Sequence, residues 1–507
     1  MSDALPECYT QLRSLRREAA TIGSIEALVS WDQETYMPAG AAEARSEQLG
    51  LLARLEHERK TDPRIGELLD ACASDATVRG DERLSASVRE MRRDYEIATR
   101  LPGELVEELA RVGSQAQEAW KGARAKSDYQ AFKPWLEKMV GLSRRKAECL
   151  SRGGELYNAL LDLYEPGATA DEIEAVFTPL RERLSAFIRD IASNGTPPDT
   201  SMLDTKIPEP MQHRFGLRVL EAIGFDLKTG RLDVTTHPFC SGIAPGDTRL
   251  TTRYRDERFT DALYGTMHEG GHGLYEQGLP KGPETFGTPL SESVSLGIHE
   301  SQSRMWENLV GRSEGFWAWA LPVANECFDG ALGGCAPERM AMAVNTATPS
   351  LIRVEADEGT YNLHVMLRFE IERALLGGDL GVDDVPGVWN EKMKAMLGLD
   401  VPDDARGCLQ DVHWSFGLMG YFPTYTLGNL YAAQFWEAIR RDTPGVEDGF
   451  ARGEFAPLLE WVRTNIHAHG RRYRASELCE RATGSALSAD PLMRHLESRI
   501  RPAYGLA

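Results

Sequence analysis

The segment His268-Glu269-Gly270-Gly271-His272 restricts the possible folds of this chain more than any other part of the sequence. In a helix, His268 and His272 lie one turn apart on the same face, so both imidazoles can bind one metal ion. Glu269 then lies beside the ion without binding it, where it can accept a proton from water whose pKa the ion lowers. The spacing therefore predicts a helical metal site of the hydrolytic type.

A catalytic zinc site has three protein ligands, so a third ligand is expected downstream. We favour Glu300, because residues 291–302 have the pattern of a second helix that crosses the first and directs a carboxylate at the ion. Glu276, Glu292 and His299 are the alternatives that spacing leaves open. Glu276 lies one turn further along the first helix and is better explained as a solvated acid.

Three glycines, Gly270, Gly271 and Gly273, interrupt the predicted metal-binding helix. Each costs about 1 kcal/mol relative to alanine in a helix interior. A locally unfavourable sequence is typical of a place where function constrains the backbone. We expect these positions to let another element, or the substrate, come close to the helix.

Composition excludes several classes of function. The chain has 507 residues, of which 42% are hydrophobic and 26% charged, as in folded globular proteins. Its net charge of -20 disfavours nucleic acid as a partner. The sequence has no signal-peptide pattern and no run of about 18 apolar residues, so a cytoplasmic protein without membrane association is expected. Eight cysteines without a CxxC pair argue against a disulfide framework and a cysteine zinc site.

Helical patterning dominates the chain. Residues 1–210 have the pattern of successive helices that end in a turn-rich connection. The clearest helix start is the capping-box spacing of Thr169 and Glu172, which precedes apolar residues on one helical face and Pro179. The helical pattern resumes at Thr260 and continues through the rest of the chain.

A short β segment separates these helical regions. Val234–Phe239 and Leu250–Tyr254 are predicted to be strands, because they are rich in β-branched and aromatic residues. Glycine, proline and aspartate at 242–247 indicate a hairpin-like connection between them. We therefore expect a small sheet directly before the metal-binding helix.

Six motifs occur in order along the chain. They are His237-Pro238-Phe239, Asp247-Thr248-Arg249-Leu250-Thr251 (DxRxT), His268 to His272 (HExxH), His299-Glu300-Ser301-Gln302, Ile352-Arg353-Val354-Glu355-Ala356-Asp357 (IRxxAD) and Gly407-Cys408-Leu409-Gln410-Asp411-Val412-His413-Trp414 (GxxQDxHW). In this order they resemble the motifs of the thermostable carboxypeptidase Taq family, metallocarboxypeptidases of the HExxH-plus-glutamate type. The similarity extends from Trp31–Pro38 to Ile466–Gly470 and so covers nearly the whole chain.

The resemblance implies a mostly α fold of one catalytic unit, residues 1–507. It comprises a helical N-terminal part, 1–210, and a part that carries the metal site, 211–507. The family architecture has a deep groove with a small β-sheet beside the active site, similar to neurolysin and angiotensin-converting enzyme. The resemblance also implies a homodimer.

The same resemblance implies roles for individual residues. The family's metal ligands match His268, His272 and Glu300, and its general base matches Glu269. Zinc is the expected ion, although cobalt and manganese suit the same ligands. Asp357, in the IRxxAD motif, is a candidate acceptor for a metal-bound imidazole, because such ligands usually have one.

Carboxypeptidase action also requires groups that recognise the substrate. A guanidinium can bind a free C-terminal carboxylate through two bonds, and Arg353 is the first candidate and Arg249 the second. Each has a structural ion pair as its competing interpretation. Tyr421 and His413 are candidate donors to the oxyanion of the tetrahedral intermediate, with a buried, hydrogen-bonded role as the alternative. His237 is a candidate lining residue of the groove or a core histidine.

The predicted function is a metal-dependent carboxypeptidase that releases C-terminal amino acids from peptides with a free C terminus. Two alternatives remain open on the sequence. One is a zinc endopeptidase or oligopeptidase with the same fold and chemistry. The other is a non-catalytic metal-binding scaffold, against which the intact Glu269 and complete ligand set argue. The sequence contains no GxMEN segment of the kind that related aminopeptidases use.

Overall fold

The computed structural model describes residues 5–506, whose architecture is mostly helical with one small sheet, as predicted. Short 3₁₀ turns join many of the helices. The α-helices in chain order are α1 Glu7–Thr35, α2 Ala42–Lys60, α3 Pro63–Ser74, α4 Ala76–Gly80, α5 Glu82–Arg100, α6 Gly103–Lys126, α7 Tyr129–Leu150, α8 Leu156–Leu161, α9 Ala170–Asn194, α10 Glu209–Ile223, α11 Phe259–Gly278, α12 Leu296–Arg304, α13 Glu314–Cys327, α14 Pro337–Val344, α15 Glu358–Gly377, α16 Val385–Leu397, α17 Pro423–Asp442, α18 Val446–Phe450, α19 Ala456–Asn465, α20 Ala475–Thr483 and α21 Asp490–Ala503. Among residues 5–506, no helix has both the length and the apolar composition needed to cross a membrane.

Helix α9 illustrates how local sequence determines these elements. The predicted capping box is confirmed, because Thr169 Oγ1 accepts from the Glu172 backbone N–H at 3.3 Å and Glu172 Oε2 accepts from that of Thr169 at 3.0 Å. These bonds satisfy two donors that the first turn of a helix leaves without partners. Pro179 lies inside the helix, and Phe177 and Leu184 belong to its buried apolar face.

The sheet has three strands, β1 Gly230–Val234, β2 Cys240–Ala244 and β3 Asp247–Thr252, in the order β1-β3-β2. An antiparallel hairpin is present, but β2 at Cys240–Ala244 is its first strand, so part of the predicted connection at 242–247 is itself strand. The predicted strand at Val234–Phe239 is wrong, because the ladder with β3 is parallel and ends at Val234. The following residues form a bend that ends at Pro238, which has no N–H for a ladder bond.

The main hydrophobic core includes buried residues from Leu105 to Tyr504, so the predicted parts 1–210 and 211–507 both contribute to it. Helix α11, which carries the HExxH motif, packs within this core against α10, α12 and β3. A second, smaller core lies among α1, α3, α4 and α5, and its buried residues run from Tyr9 to Met91.

The end of α1 is attached to the sheet beside α11. The Tyr36 hydroxyl donates to Asp233 Oδ1 on β1 at 2.6 Å. The Arg249 guanidinium on β3 lies 4.3 Å from the centroid of the Trp31 ring. These contacts fix the first helix against the strand that packs on the metal-binding helix.

Candidate metal centre

The glycines of α11 allow other elements to pack closely against the metal-binding helix. A Cβ atom at Gly271 would lie 2.5 Å from the Gln302 carbonyl oxygen and 2.7 Å from Ser303 Cα, both on α12. Gly270 faces Leu220 of α10, and Gly273 faces Phe225 and Leu250, the latter on β3. The predicted close approach is therefore to neighbouring elements, and above all to the helix that carries Glu300.

This packing brings His268, His272 and Glu300 together. Glu300 Oε2 lies 3.6 Å from His268 Nε2 and 3.4 Å from His272 Nε2. Ligand atoms bound tetrahedrally to zinc at its usual bond lengths lie about 3.3–3.6 Å apart, so these residues fit the ion. Within the described chain they form the one group of three histidines, cysteines or acids close enough to share a metal.

The alternative third ligands have other partners. Glu292 binds Arg471 at 2.7 Å. His299 Nδ1 lies 2.5 Å from His272 Nδ1, and His299 Nε2 lies 2.8 Å from Glu276 Oε1. The interpretation of Glu276 as a solvated acid is wrong, because its side chain is only 15% exposed and also binds Lys281. Its position four residues after His272 was the signal for a role on the same helical face.

Glu307 holds the other metal-binding imidazole. Glu307 Oε2 lies 2.8 Å from His268 Nδ1, which leaves Nε2 directed at Glu300. Glu307 lies on a π-helical turn, Met305–Val310, that continues α12. Arg304 donates to Glu300 Oε1 at 2.7 Å and to Glu307 Oε2 at 3.2 Å, so one guanidinium orients both carboxylates.

The prediction that Asp357 is the acceptor for a ligand imidazole is wrong. Asp357 is the N-cap of α15, and its Oδ1 accepts from the Thr360 backbone N–H at 3.0 Å. Its other oxygen accepts from the backbone N–H of Thr348 at 2.5 Å. Capping therefore uses this carboxylate, and Glu307 supplies the contact to the imidazole.

Burial and neighbouring charges shift the pKa values of the three candidate ligands, His268, His272 and Glu300. Burial opposes ionisation of Glu300, but Arg304 and His268 outweigh it and hold the pKa of Glu300 well below its usual range. Burial and the charge of His299 lower the pKa of His272 to about 3, so its lone pair is available at neutral pH. Although burial opposes protonation, the Glu300 and Glu307 carboxylates raise the pKa of His268 to about 9. A metal ion must therefore displace a proton from His268.

Glu269 lies in the buried interior beside this triad. Burial raises the pKa of Glu269 to about 7, while the neighbouring His268 charge opposes the shift. Strand β2 packs against α11 beside these groups. Burial raises the pKa of the Cys240 thiol on this strand, and the charges of Glu276 and Glu269 raise it further. The geometry thus combines a metal-binding triad with a carboxyl group that can exchange a proton near neutral pH.

An aromatic group borders the triad from α17 and the loop before it. The ring of His413 lies 5.6 Å from that of Tyr421, and its Nε2 lies 3.4 Å from the Tyr425 hydroxyl. Burial raises the pKa of Tyr421, and the charge of Glu300 raises it further, so this phenol stays protonated at neutral pH. Burial lowers the pKa of His413 to about 4, which makes its imidazole neutral. Tyr425 closes the stretch 413–425 that offers several donors, but it was not favoured, because a tyrosine at the start of a helix has no distinctive spacing.

Arg353 adjoins this aromatic group. Its Nε and terminal nitrogen lie 3.2 and 2.8 Å from Asp411 Oδ1, and it also donates to the Tyr361 hydroxyl at 2.9 Å. Its guanidinium lies 5.2 Å from the Tyr425 ring centroid. Arg368 binds the other oxygen of Asp411 at 2.6 Å. Two guanidinium groups therefore share one carboxylate.

Of the other two predicted substrate-binding residues, one lies on the sheet and the other in the bend that joins β1 to β2. Arg249 forms a two-bond pair with Asp247, at 2.8 and 2.9 Å, in addition to its contact with Trp31. His237 is exposed in the bend between β1 and β2. The structure thus brings Arg353, Tyr421 and His413 together, whereas Arg249 lies on β3 and His237 in the bend before β2.

Comparison with known proteins agrees with this arrangement. The family model "Carboxypeptidase Taq (M32) metallopeptidase" matches residues 11–500. Thermostable carboxypeptidase 1 of Thermus thermophilus is 48% identical, with 98% of this chain and 99% of the relative covered. Carboxypeptidase 1 of Bacillus subtilis is 36% identical, with 94% and 95% covered.

Solved structures give the same result. The M32 carboxypeptidase from Deinococcus radiodurans superimposes with a TM-score of 0.95 and 43% identity, covering 99% of this chain and all of that one. A carboxypeptidase of Pyrococcus furiosus has a TM-score of 0.94 and 35% identity, with 98% and 99% covered. These relatives do not favour the endopeptidase or scaffold alternatives. The chain therefore belongs to the carboxypeptidase Taq (M32) family and is a metallocarboxypeptidase, a hydrolase of peptides that uses a divalent metal.

Proposed function

We propose that His268, His272 and Glu300 hold one zinc ion as the catalytic centre of this metallocarboxypeptidase. The observation that carries the proposal is the spacing of 3.4 and 3.6 Å between the Glu300 oxygen and the two imidazole nitrogens. Glu307 and His299 fix the orientation of the imidazoles from the opposite side. Fixed tautomers and ring positions usually raise metal affinity.

We propose Glu269 as the general base. Its carboxyl group lies beside the triad, is buried, and has no place in the set of three ligands. When bound, zinc supplies Lewis acidity that lowers the pKa of water and polarises the scissile carbonyl. Glu269 takes the proton from the attacking water and delivers it to the departing amino group.

Tyr421 is our proposed donor to the oxyanion of the tetrahedral intermediate. Its raised pKa keeps the phenol protonated, and the influence of Glu300 on that pKa supports a position near the reacting atoms. A neutral His413 and the Tyr425 hydroxyl pack beside it. We propose that His413 positions these phenols, because its ring contacts both of them.

We propose Arg353 for recognition of the substrate's terminal carboxylate. Arg353 and Arg368 together carry two positive charges against the single charge of Asp411, which leaves an excess that an incoming carboxylate neutralises. Arg249 is the second candidate, since its two-bond pair with Asp247 already satisfies its charge. His237 is proposed only as a lining residue.

We also propose a groove, a homodimeric state and a cytoplasmic location for this protein. By the family resemblance, residues 1–507 form one catalytic unit with a deep groove beside the sheet, similar to neurolysin and angiotensin-converting enzyme, and the protein is a homodimer of the cytoplasm. All eight cysteines are free, which suits a reducing compartment. Light scattering during gel filtration tests the dimer, and a monomer at micromolar concentration would contradict it.

The base and the specificity are tested separately. Glu269→Gln should keep zinc, measured by metal analysis, and lose turnover by at least about a hundredfold. Substantial residual activity would remove Glu269 from this role. A peptide and its C-terminally amidated copy should differ greatly in cleavage rate, and Arg353→Lys should raise KM for the free peptide more than Arg249→Lys does. If Arg249→Lys has the larger effect, the two assignments must be exchanged.

A further inference from the structure

A cavity of about 440 Å³ lies between α5, the segment 150–169 and Arg474. It shares no lining residue with the metal centre. Two carboxylates, Glu96 and Asp162, line it against six arginines, in a chain whose net charge is -20. The arginines are Arg89, Arg92, Arg93, Arg100, Arg152 and Arg474.

The neighbouring carboxylates do not neutralise this cluster. Glu90 lies 2.8 Å from Arg89 and 3.1 Å from Arg474, but it also binds Arg471 at 3.2 Å. Asp94, 3.8 Å from Arg93, is likewise shared with Arg471. In all, the six guanidinium groups form ion pairs with five carboxylates, which are Asp70, Glu90, Asp94, Glu96 and Asp162. Positive charge therefore remains in excess around the cavity.

Arg474 shows the effect of this excess. Burial lowers the pKa of Arg474, and the charges of Arg93 and Arg89 lower it further against the pull of Glu90. An anion in the cavity would relieve the repulsion among these guanidinium groups.

We propose that this cavity binds a multivalent oxyanion, namely a phosphate or sulfate group, alone or as the ester of a small organic molecule. Guanidinium groups match the oxygens of such anions through paired, charge-assisted bonds. The apolar side chains of Ile97, Leu150 and Leu163 also line the cavity and suit the carbon skeleton of an ester.

The test is calorimetric titration of the zinc-loaded, full-length protein with sulfate, at an ionic strength held constant with chloride. We expect saturable binding at one site per chain. Arg474→Gln should weaken it about tenfold or more, because a charge-assisted bond to the anion is lost. Arg152→Gln should weaken it by a smaller factor, and since this side chain is 67% exposed the variant folds even if Arg474→Gln does not.

Arg54→Gln is the matched control. Arg54 is 60% exposed and pairs with Glu58 at 2.7 Å, much as Arg152 pairs with Glu96 at 2.6 Å, but it lies outside the cavity. Sulfate should bind this variant as it binds the wild type. Absence of saturable binding, or equal affinity in all three variants, would overturn the proposal. Tighter binding of ribose 5-phosphate than of sulfate would identify the organic ester as the ligand, and equal binding the inorganic anion.

Discussion

Replacing Gly271 by alanine should separate the two helices of the metal centre. The new Cβ would lie 2.5 Å from the Gln302 carbonyl oxygen, 2.7 Å from Ser303 Cα and 2.9 Å from the Gln302 carbonyl carbon. A carbon–oxygen contact is ordinarily about 3.3 Å, so α12 must move away by about 0.8 Å. All three atoms belong to backbone, so no side-chain rotation relieves the clash.

The size of the effect follows from two opposed terms. Alanine in a helix interior is favoured over glycine by about 1 kcal/mol. Overpacking of a filled interior costs about 1–3 kcal/mol, and a clash with three backbone atoms belongs near the upper end. We therefore expect the free energy of unfolding of the metal-free protein to fall by about 1–2 kcal/mol. Metal ligands tolerate displacements of only about 0.2 Å, so zinc affinity should fall by about tenfold to a hundredfold.

Denaturant unfolding and competition with a chelator measure the two quantities. Gly141→Ala is the control, because Gly141 lies inside α7, is exposed, and has no atom of a neighbouring element within 4 Å of the place that a Cβ would occupy. The same chemical change should there increase stability by up to about 1 kcal/mol and leave zinc affinity unaltered. If Gly271→Ala is as stable as Gly141→Ala and binds zinc like the wild type, close packing of α12 does not position Glu300.

Three further outcomes are expected. The His299 imidazole connects His272 to Glu276, and His299→Ala removes this connection. Zinc affinity in chelator competition should therefore fall about tenfold or more, and unchanged affinity would contradict a positioning role for His299. Gly428→Ala would place a Cβ 2.5 Å from Glu300 Cγ, so it should also weaken zinc binding while leaving most helix content in circular dichroism; wild-type affinity would show that α17 does not confine this side chain. Burial raises the pKa of Glu165 to about 7. Because the folded state holds this proton more tightly than the unfolded state, the wild type loses stability as pH rises from about 5 through 7. The free energy of unfolding of Glu165→Gln should therefore increase by about 2–3 kcal/mol relative to that of the wild type between pH 5 and 8. A pH-independent difference in denaturant unfolding would refute this.

Local sequence was sufficient for features whose physics is local. The capping box of α9 involves residues three positions apart, so no tertiary contact was needed to predict it. The first strand was predicted too far along the chain, at Val234–Phe239, because β1 is parallel to β3 and its partner is not adjacent in sequence. The helical pattern itself is also local, since it repeats within each turn.

The sequence by itself determined the metal-binding helix, because the spacing of His268 and His272 has a direct meaning in an α-helix. Glu300 was one of several acids until the packing of α12 against Gly271 brought it within 3.4 Å of His272. Only the tertiary structure decided that Glu307, rather than Asp357, contacts the other imidazole. Spacing along one helix is governed by its own geometry, whereas contacts between helices depend on how distant segments pack, and no short motif encodes that packing.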